Sequence, residues 1–129
     1  MSKLKCLLFF ALICLPLGSG HADNAADQKA FESGVFVFPN PVRNGQATFQ
    51  MGAIRAGANL SLKIYTITGT LVFEQSFPGV TAGTSVQISN WPVTNQSGHK
   101  LGRGLYYYVA REDDATGTLQ TVKKLAVIP

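Results

Sequence analysis

From Gly34 onward, apolar and polar residues alternate in short runs separated by turn residues. The clearest run is Leu60 to Thr66. Leu60, Leu62 and Ile64 fall on one side and Ser61, Lys63 and Tyr65 on the other, the period of two expected of a half-buried antiparallel strand. Thr68-Gly69 then predicts a tight hairpin into Leu71 to Phe77, with Leu71, Phe73 and Phe77 on one face. Val35 to Phe38 reads as a first strand stopped by Pro39 and Pro41, because proline cannot donate to a ladder. Ala47 to Met51 reads as a second. Pro78 to Gly83 is a turn, and Thr84 to Ser89 alternates again through Val86 and Ile88. Asn90 to Arg103 is the longest irregular stretch. Gly104 to Arg111 is an aromatic strand, Asp113 to Thr118 a polar turn, and Leu119 to Ile128 the last strand. No window of useful length has helical periodicity. About seven short strands at this spacing predict an all-β fold, an immunoglobulin-like antiparallel β-sandwich over 34–129. Leu62, Ile64, Phe73, Val86, Ile88 and Trp91 are its expected core.

The first 22 residues follow different rules. Lys3 and Lys5 precede an apolar run from Cys6 to Leu17, and Gly18-Ser19-Gly20-His21-Ala22 is a small-residue exit. This is the pattern of a secretory signal peptide, with cleavage after Ala22, or after Ala25 or Ala26. The run is shorter than the roughly 20 residues a helical span needs. Cys14 does not suit lipid attachment, because Ile13 stands where a small residue is required. Asp23 to Ser33 is polar and Ala-rich and reads as a flexible lead.

Both cysteines, Cys6 and Cys14, lie inside the signal segment, so the exported chain has no disulfide to staple it. A chain of the remaining length can still form one domain around a hydrophobic core. The full chain has a formal charge of +4, but residues 23–129 carry nine Lys and Arg against seven Asp and Glu. That balance gives no dense basic stripe, and nucleic acid is not expected as a partner.

Several ordered motifs resemble one family. Phe38-Pro39-Asn40-Pro41 is similar to the Pro-Asn-Pro segment that opens the C-terminal sorting domains of type IX secretion cargo. The same segment resembles the related immunoglobulin-like domain of flagellar hook-capping proteins. The run from Leu62 through Gly69 to Val72 resembles the family's central hairpin. Trp91, Gly98, Leu101, Gly104 and Tyr106 resemble its tryptophan–glycine–glycine–tyrosine segment, and Lys123-Lys124-Leu125-Ala126-Val127-Ile128 its closing strand. Physical reasons support several of these positions. Each proline fixes φ and turns the chain rigidly, Gly69 suits a turn with positive φ, and Trp91 is large enough to fill the space between sheets. The resemblance implies a non-enzymatic exported module handled by secretion or envelope-assembly proteins. It would reside in the periplasm, on the outer-membrane surface or outside the cell. With the signal peptide almost directly ahead, the module is expected to be the exported product itself. A structural subunit like the hook-capping domain, self-associating or bound to a scaffold, is the alternative, and a carbohydrate-binding module is a third reading. Lys123 and Lys124 are expected as exposed charges that an export machine reads.

Candidate chemistry changes this picture little. His99 stands alone between Gly98 and Lys100, and zinc would need three or four clustered ligands. Glu112-Asp113-Asp114 lacks the spacing of a calcium loop and reads as a solvated turn. Tyr106, Tyr107 and Tyr108 alternate faces, so one face is core and the other an aromatic surface that could serve a glycan, although none is expected. Asn59-Leu60-Ser61 and Asn95-Gln96-Ser97 match the glycosylation triplet, a pattern common by chance. No nucleophile elbow, phosphate loop or paired carboxylates occur. No enzyme activity, cofactor or metal is expected.

Overall fold

The computed structural model describes residues 25–128. The signal-peptide reading falls outside these residues. Seven strands follow in chain order: β1 (Phe36–Phe38), β2 (Ala47–Gly52), β3 (Ala58–Thr66), β4 (Leu71–Val80), β5 (Ser85–Trp91), β6 (Gly104–Asp114) and β7 (Gly117–Val127). They pair antiparallel in two sheets, β1-β2-β5 and β4-β3-β6-β7. This is the all-β sandwich that the alternation predicts.

The inner faces are set by residue parity. Leu60, Leu62 and Ile64 on β3 face Phe49 and Met51 on β2, with Tyr106, Tyr108 and Ala110 of β6 and Leu119, Leu125 and Val127 of β7 completing the core. Each large apolar side chain buried this way contributes about 1.5–3 kcal/mol. Trp91, Leu62, Ile64 and Ile88 are buried as expected, whereas Phe73 and Val86 are only partly covered.

Bulges explain where local parity misleads. Ile64 pairs with Phe73 but Tyr65 with Leu71, so Val72 is an extra residue on β4. One inserted residue reverses the facing of what precedes it. Leu71 therefore points outward at 43% exposure, while Phe73 reaches Trp91. A second bulge at Pro78 and Gly79 lets β4 run on to the buried Val80. The turn expected over 78–83 is correspondingly shorter. Proline is tolerated there because β4 is an edge strand. The turn expected over 113–118 also shrinks. Asp114 pairs with Gly117, and the Asp114 carboxylate takes hydrogen bonds from the Thr116 N–H and hydroxyl and the Gly117 N–H.

The expected flexible lead is instead a helix, α1, over 25–34. Its Ala, Gln, Lys and Glu residues are good helix formers. Phe31 is its one large apolar side chain, and it is fully buried in the sandwich core. A single anchor in ten residues produces no periodic stripe, which is why the pattern hid the helix.

Candidate functional site

β7 is an edge strand, and an edge offers unpaired N–H and C=O groups to any other strand. Here much of that row is filled from within. Gln28 on α1 accepts from the Gln120 N–H at 3.2 Å and donates through Nε2 to the Gln120 carbonyl at 2.5 Å. Asn40 repeats the device further along. Its Oδ1 accepts from the Ala126 N–H at 3.2 Å, and its Nδ2 donates to the Lys124 carbonyl at 3.0 Å. Val42 continues as backbone, donating to the Ala126 carbonyl at 2.8 Å and accepting from the Ile128 N–H at 3.0 Å. A side-chain amide carries a donor and an acceptor side by side, so Gln and Asn can stand in for a strand residue.

The Pro-Asn-Pro segment thus does more than stop β1. Pro39 and Pro41 flank Asn40, with the Phe38–Pro39 and Asn40–Pro41 peptide bonds both cis. Asn40 and Val42 carry the chain from the three-stranded sheet onto the closing strand of the other. No local pattern could have revealed a contact that spans 84 residues.

The two lysines, expected to be alike, differ. Lys123 is half-buried, and its Nζ donates to the Glu32 carbonyl at 2.7 Å and to the Val35 carbonyl. These acceptors lie at the C-terminal end of α1 and just beyond, where a cation is favoured. Lys123 therefore anchors the helix and is not a free surface charge. Lys124 is exposed, and only its backbone is engaged by Asn40. In the sheet register it lies opposite Tyr107, which lies opposite Tyr65. The outer face around Lys124 is therefore aromatic and cationic.

The remaining motif residues hold the frame. Gly69 adopts φ 93° in the β3–β4 turn, a conformation that disfavours any Cβ, and its N–H donates to the Thr66 carbonyl at 3.0 Å. Trp91 is packed between Phe49 and Phe73, with ring centroids 5.5 Å from each. Gly98 sits in a turn organised by Asn95, whose side chain accepts from the N–H groups of Ser97 and His99. Next to that turn, Gln96 bonds the β4 edge at Val72 and Glu74, so the irregular loop covers that edge. Gly104 opens β6, and the Tyr106 hydroxyl donates to the Gly102 carbonyl at 2.6 Å. The structure brings Asn40, between Pro39 and Pro41, onto the edge of β7 beside Lys123 and Lys124. Gly104 and Tyr106 lie across from Val127 and Leu125 on its paired side. Gly69, Trp91 and Gly98 belong to other parts of the scaffold.

Tyr106 and Tyr108 are both buried, and burial raises the Tyr108 phenol above its ordinary value. Tyr107 is the tyrosine of this strand that faces outward. The run of tyrosines is therefore not an exposed platform. Among the described residues, no three His, Cys, Asp or Glu side chains cluster as metal ligands, and His99 is exposed.

The acidic run departs from the solvated turn expected of it. Glu112 is 1% exposed, and its oxygens accept from the N–H groups of Ile54 at 2.7 Å and Arg55 at 3.2 Å. Arg55 in turn pairs with Asp27 on α1 and Asp114 on β6. One buried carboxylate thus ties the β2–β3 loop to the far sheet. The signal existed: Tyr106, Tyr108 and Ala110 share the parity of Glu112, which a strand ending at Arg111 leaves out.

Asp113 is held below the ordinary carboxylate value of 3.8, first by the Thr118 hydroxyl and then by Arg111. Asp114 is also held below it, first by the Thr116 hydroxyl, with backbone hydrogen bonds and Arg55 adding to the effect. A depressed folded value means that the stabilisation is complete above about 3.8 and is lost as pH falls through the folded values. On acidification, amide protection at Thr116 and Gly117 should fall before the core opens. Tip protection that persists until global acid unfolding would contradict this.

These features define a β-sandwich module whose last strand is clamped by a helix and an early proline-flanked loop, leaving Lys124 and its tyrosine neighbours outward. A family model described as the secretion system C-terminal sorting domain matches residues 36–127, which include all seven strands, and the chain belongs to that family. Among solved structures, dimeric latent PorU from Porphyromonas gingivalis is similar with a TM-score of 0.62 and 33% identity, covering 73% of this chain and 9% of PorU. FlgD from P. aeruginosa shares the fold, with a TM-score of 0.50 and 22% identity over 60% of this chain and 58% of FlgD. No curated protein matches.

Proposed function

We propose that this chain is a non-enzymatic type IX secretion module, recognised by export components through the outer face of β7 and delivered to the outer-membrane surface or beyond. The observation that carries the reading is the family match across the whole sandwich, β7 included. The structure adds a physical reason for reading side chains and not backbone. Gln28, Asn40 and Val42 occupy much of the β7 edge. Strand addition there would have to displace them, while Lys124, Tyr107 and Tyr65 stay accessible on the outer face.

The two lysines separate stability from recognition. Lys123→Ser is expected to cost about 1–2 kcal/mol, because it uncaps α1. Lys124→Ser should leave the melting curve unchanged, since an exposed charge contributes little. In a type IX-competent host, the folded Lys124→Ser protein should accumulate in the periplasm. Surface labelling equal to wild type would show that Lys124 is not read.

A further inference from the structure

The outer face of the three-stranded sheet carries a second surface, on the other sheet from Lys124. Phe36 and Phe38 flank the buried Val37 and are 40% and 44% exposed. Their rings lie 5.9 Å apart, tilted by 35°. The neighbours across the sheet are polar and uncharged. Gln50 stands opposite Phe36, Thr48 opposite Phe38, and Gln87 donates to the Gln50 amide oxygen at 2.9 Å.

At the Phe38 end lies a cleft of about 290 Å³, whose polar lining is Asn44, Gln46, Thr48 and Asn90. No lining residue is charged. Asn90 owes its place to a bulge. Ala47 pairs with Trp91 and Phe49 with Ile88, which leaves two residues of β5 opposite Thr48. Asn90 absorbs the extra residue with φ 53°, in the left-handed region, and its N–H donates to the Thr48 hydroxyl oxygen at 3.3 Å. Bulges of this kind re-aim a side chain, and left-handed non-glycine residues gather at ligand sites.

We propose that this face binds a neutral saccharide, with one sugar ring stacked on Phe38 and the next directed towards Phe36. Aromatic rings cover the C–H face of a sugar, and amides can both donate to and accept from its hydroxyls. The alternatives fit less well. An anionic ligand would call for Arg or Lys in the cleft. A protein or lipid partner would call for a continuous apolar patch, whereas here two rings are set among amides and a hydroxyl. The surface lies on the opposite sheet from Lys124, so its failure would leave the export reading standing.

The test is a titration of the isotope-labelled mature protein, followed by NMR, with neutral cello-, laminari-, malto- and manno-oligosaccharides at up to millimolar concentration. At least one should give saturable shifts centred on Asn44, Thr48 and Asn90. Phe38→Ala should weaken that binding by about tenfold or more, or about 1.4 kcal/mol. Asn90→Gly should also weaken it, because glycine keeps the left-handed backbone and deletes only the amide. It keeps the test valid should Phe38→Ala misfold. The proposal is overturned by no saturable shift at this face with any of the four probes, by unchanged affinity in both variants, or by tighter binding of a uronic-acid counterpart.

Discussion

Trp91→Ala is expected to lower the free energy of unfolding by about 3–5 kcal/mol. The ring is 2% exposed and wedged between Phe49 and Phe73, where the register of β2 and β5 slips. Deleting it removes two aromatic contacts and leaves a cavity that the bulged strands can close only in part. Trp91→Phe should cost far less. The indole N–H is buried with no hydrogen-bond partner among the described residues, so phenylalanine also removes an unsatisfied donor. Urea unfolding followed by far-ultraviolet circular dichroism measures both, since the one tryptophan is the residue being replaced. A loss below about 1 kcal/mol in Trp91→Ala would mean that the ring does not fill the core.

Glu112→Ala should be the other severe change, at about 2–4 kcal/mol. Its cost comes from hydrogen bonding and not from volume. The carboxylate is the acceptor for two adjacent backbone N–H groups, Ile54 and Arg55, and removing it strands both. The loop it releases also carries Arg55, whose pairs with Asp27 and Asp114 join α1 to the β6–β7 hairpin. The damage should therefore spread to amide exchange at α1. Glu112→Gln keeps one carbonyl acceptor and should recover part of the loss. A Glu112→Ala protein with native stability and native exchange at Ile54 and Arg55 would contradict this account.

The sequence made the strands legible and left their connections obscure, for a physical reason. Alternation at Leu60 to Thr66 is a local property of the chain, and so are the turn signals at Pro39, Gly69 and Gly83. Their elements form, with the turn over 78–83 shortened by the run of β4 to Val80. A bulge is invisible to parity, which is why alternation puts Leu71 on one face with Phe73 although it points outward. α1 is held by one phenylalanine, two hydrogen bonds between Gln28 and Gln120, Lys123 and the Asp27–Arg55 pair. None of these contacts is periodic. The site divides in the same way. Pro39, Asn40, Pro41, Lys123 and Lys124 could be singled out by resemblance, but what Asn40 and Lys123 do depends on partners more than 80 residues away. Lys123, which caps the helix, and Lys124, which stays exposed, are neighbours in sequence, so the chain alone does not tell their roles apart.

The claim that this sandwich is a type IX export module is tested most directly by location. The full-length protein would be expressed in a type IX-competent Gram-negative host and in an isogenic strain lacking the type IX apparatus. Protease accessibility on intact cells and fractionation would then be compared. The account predicts surface or extracellular protein in the first strain and intact, folded protein trapped in the periplasm of the second. The same distribution in both strains would contradict it.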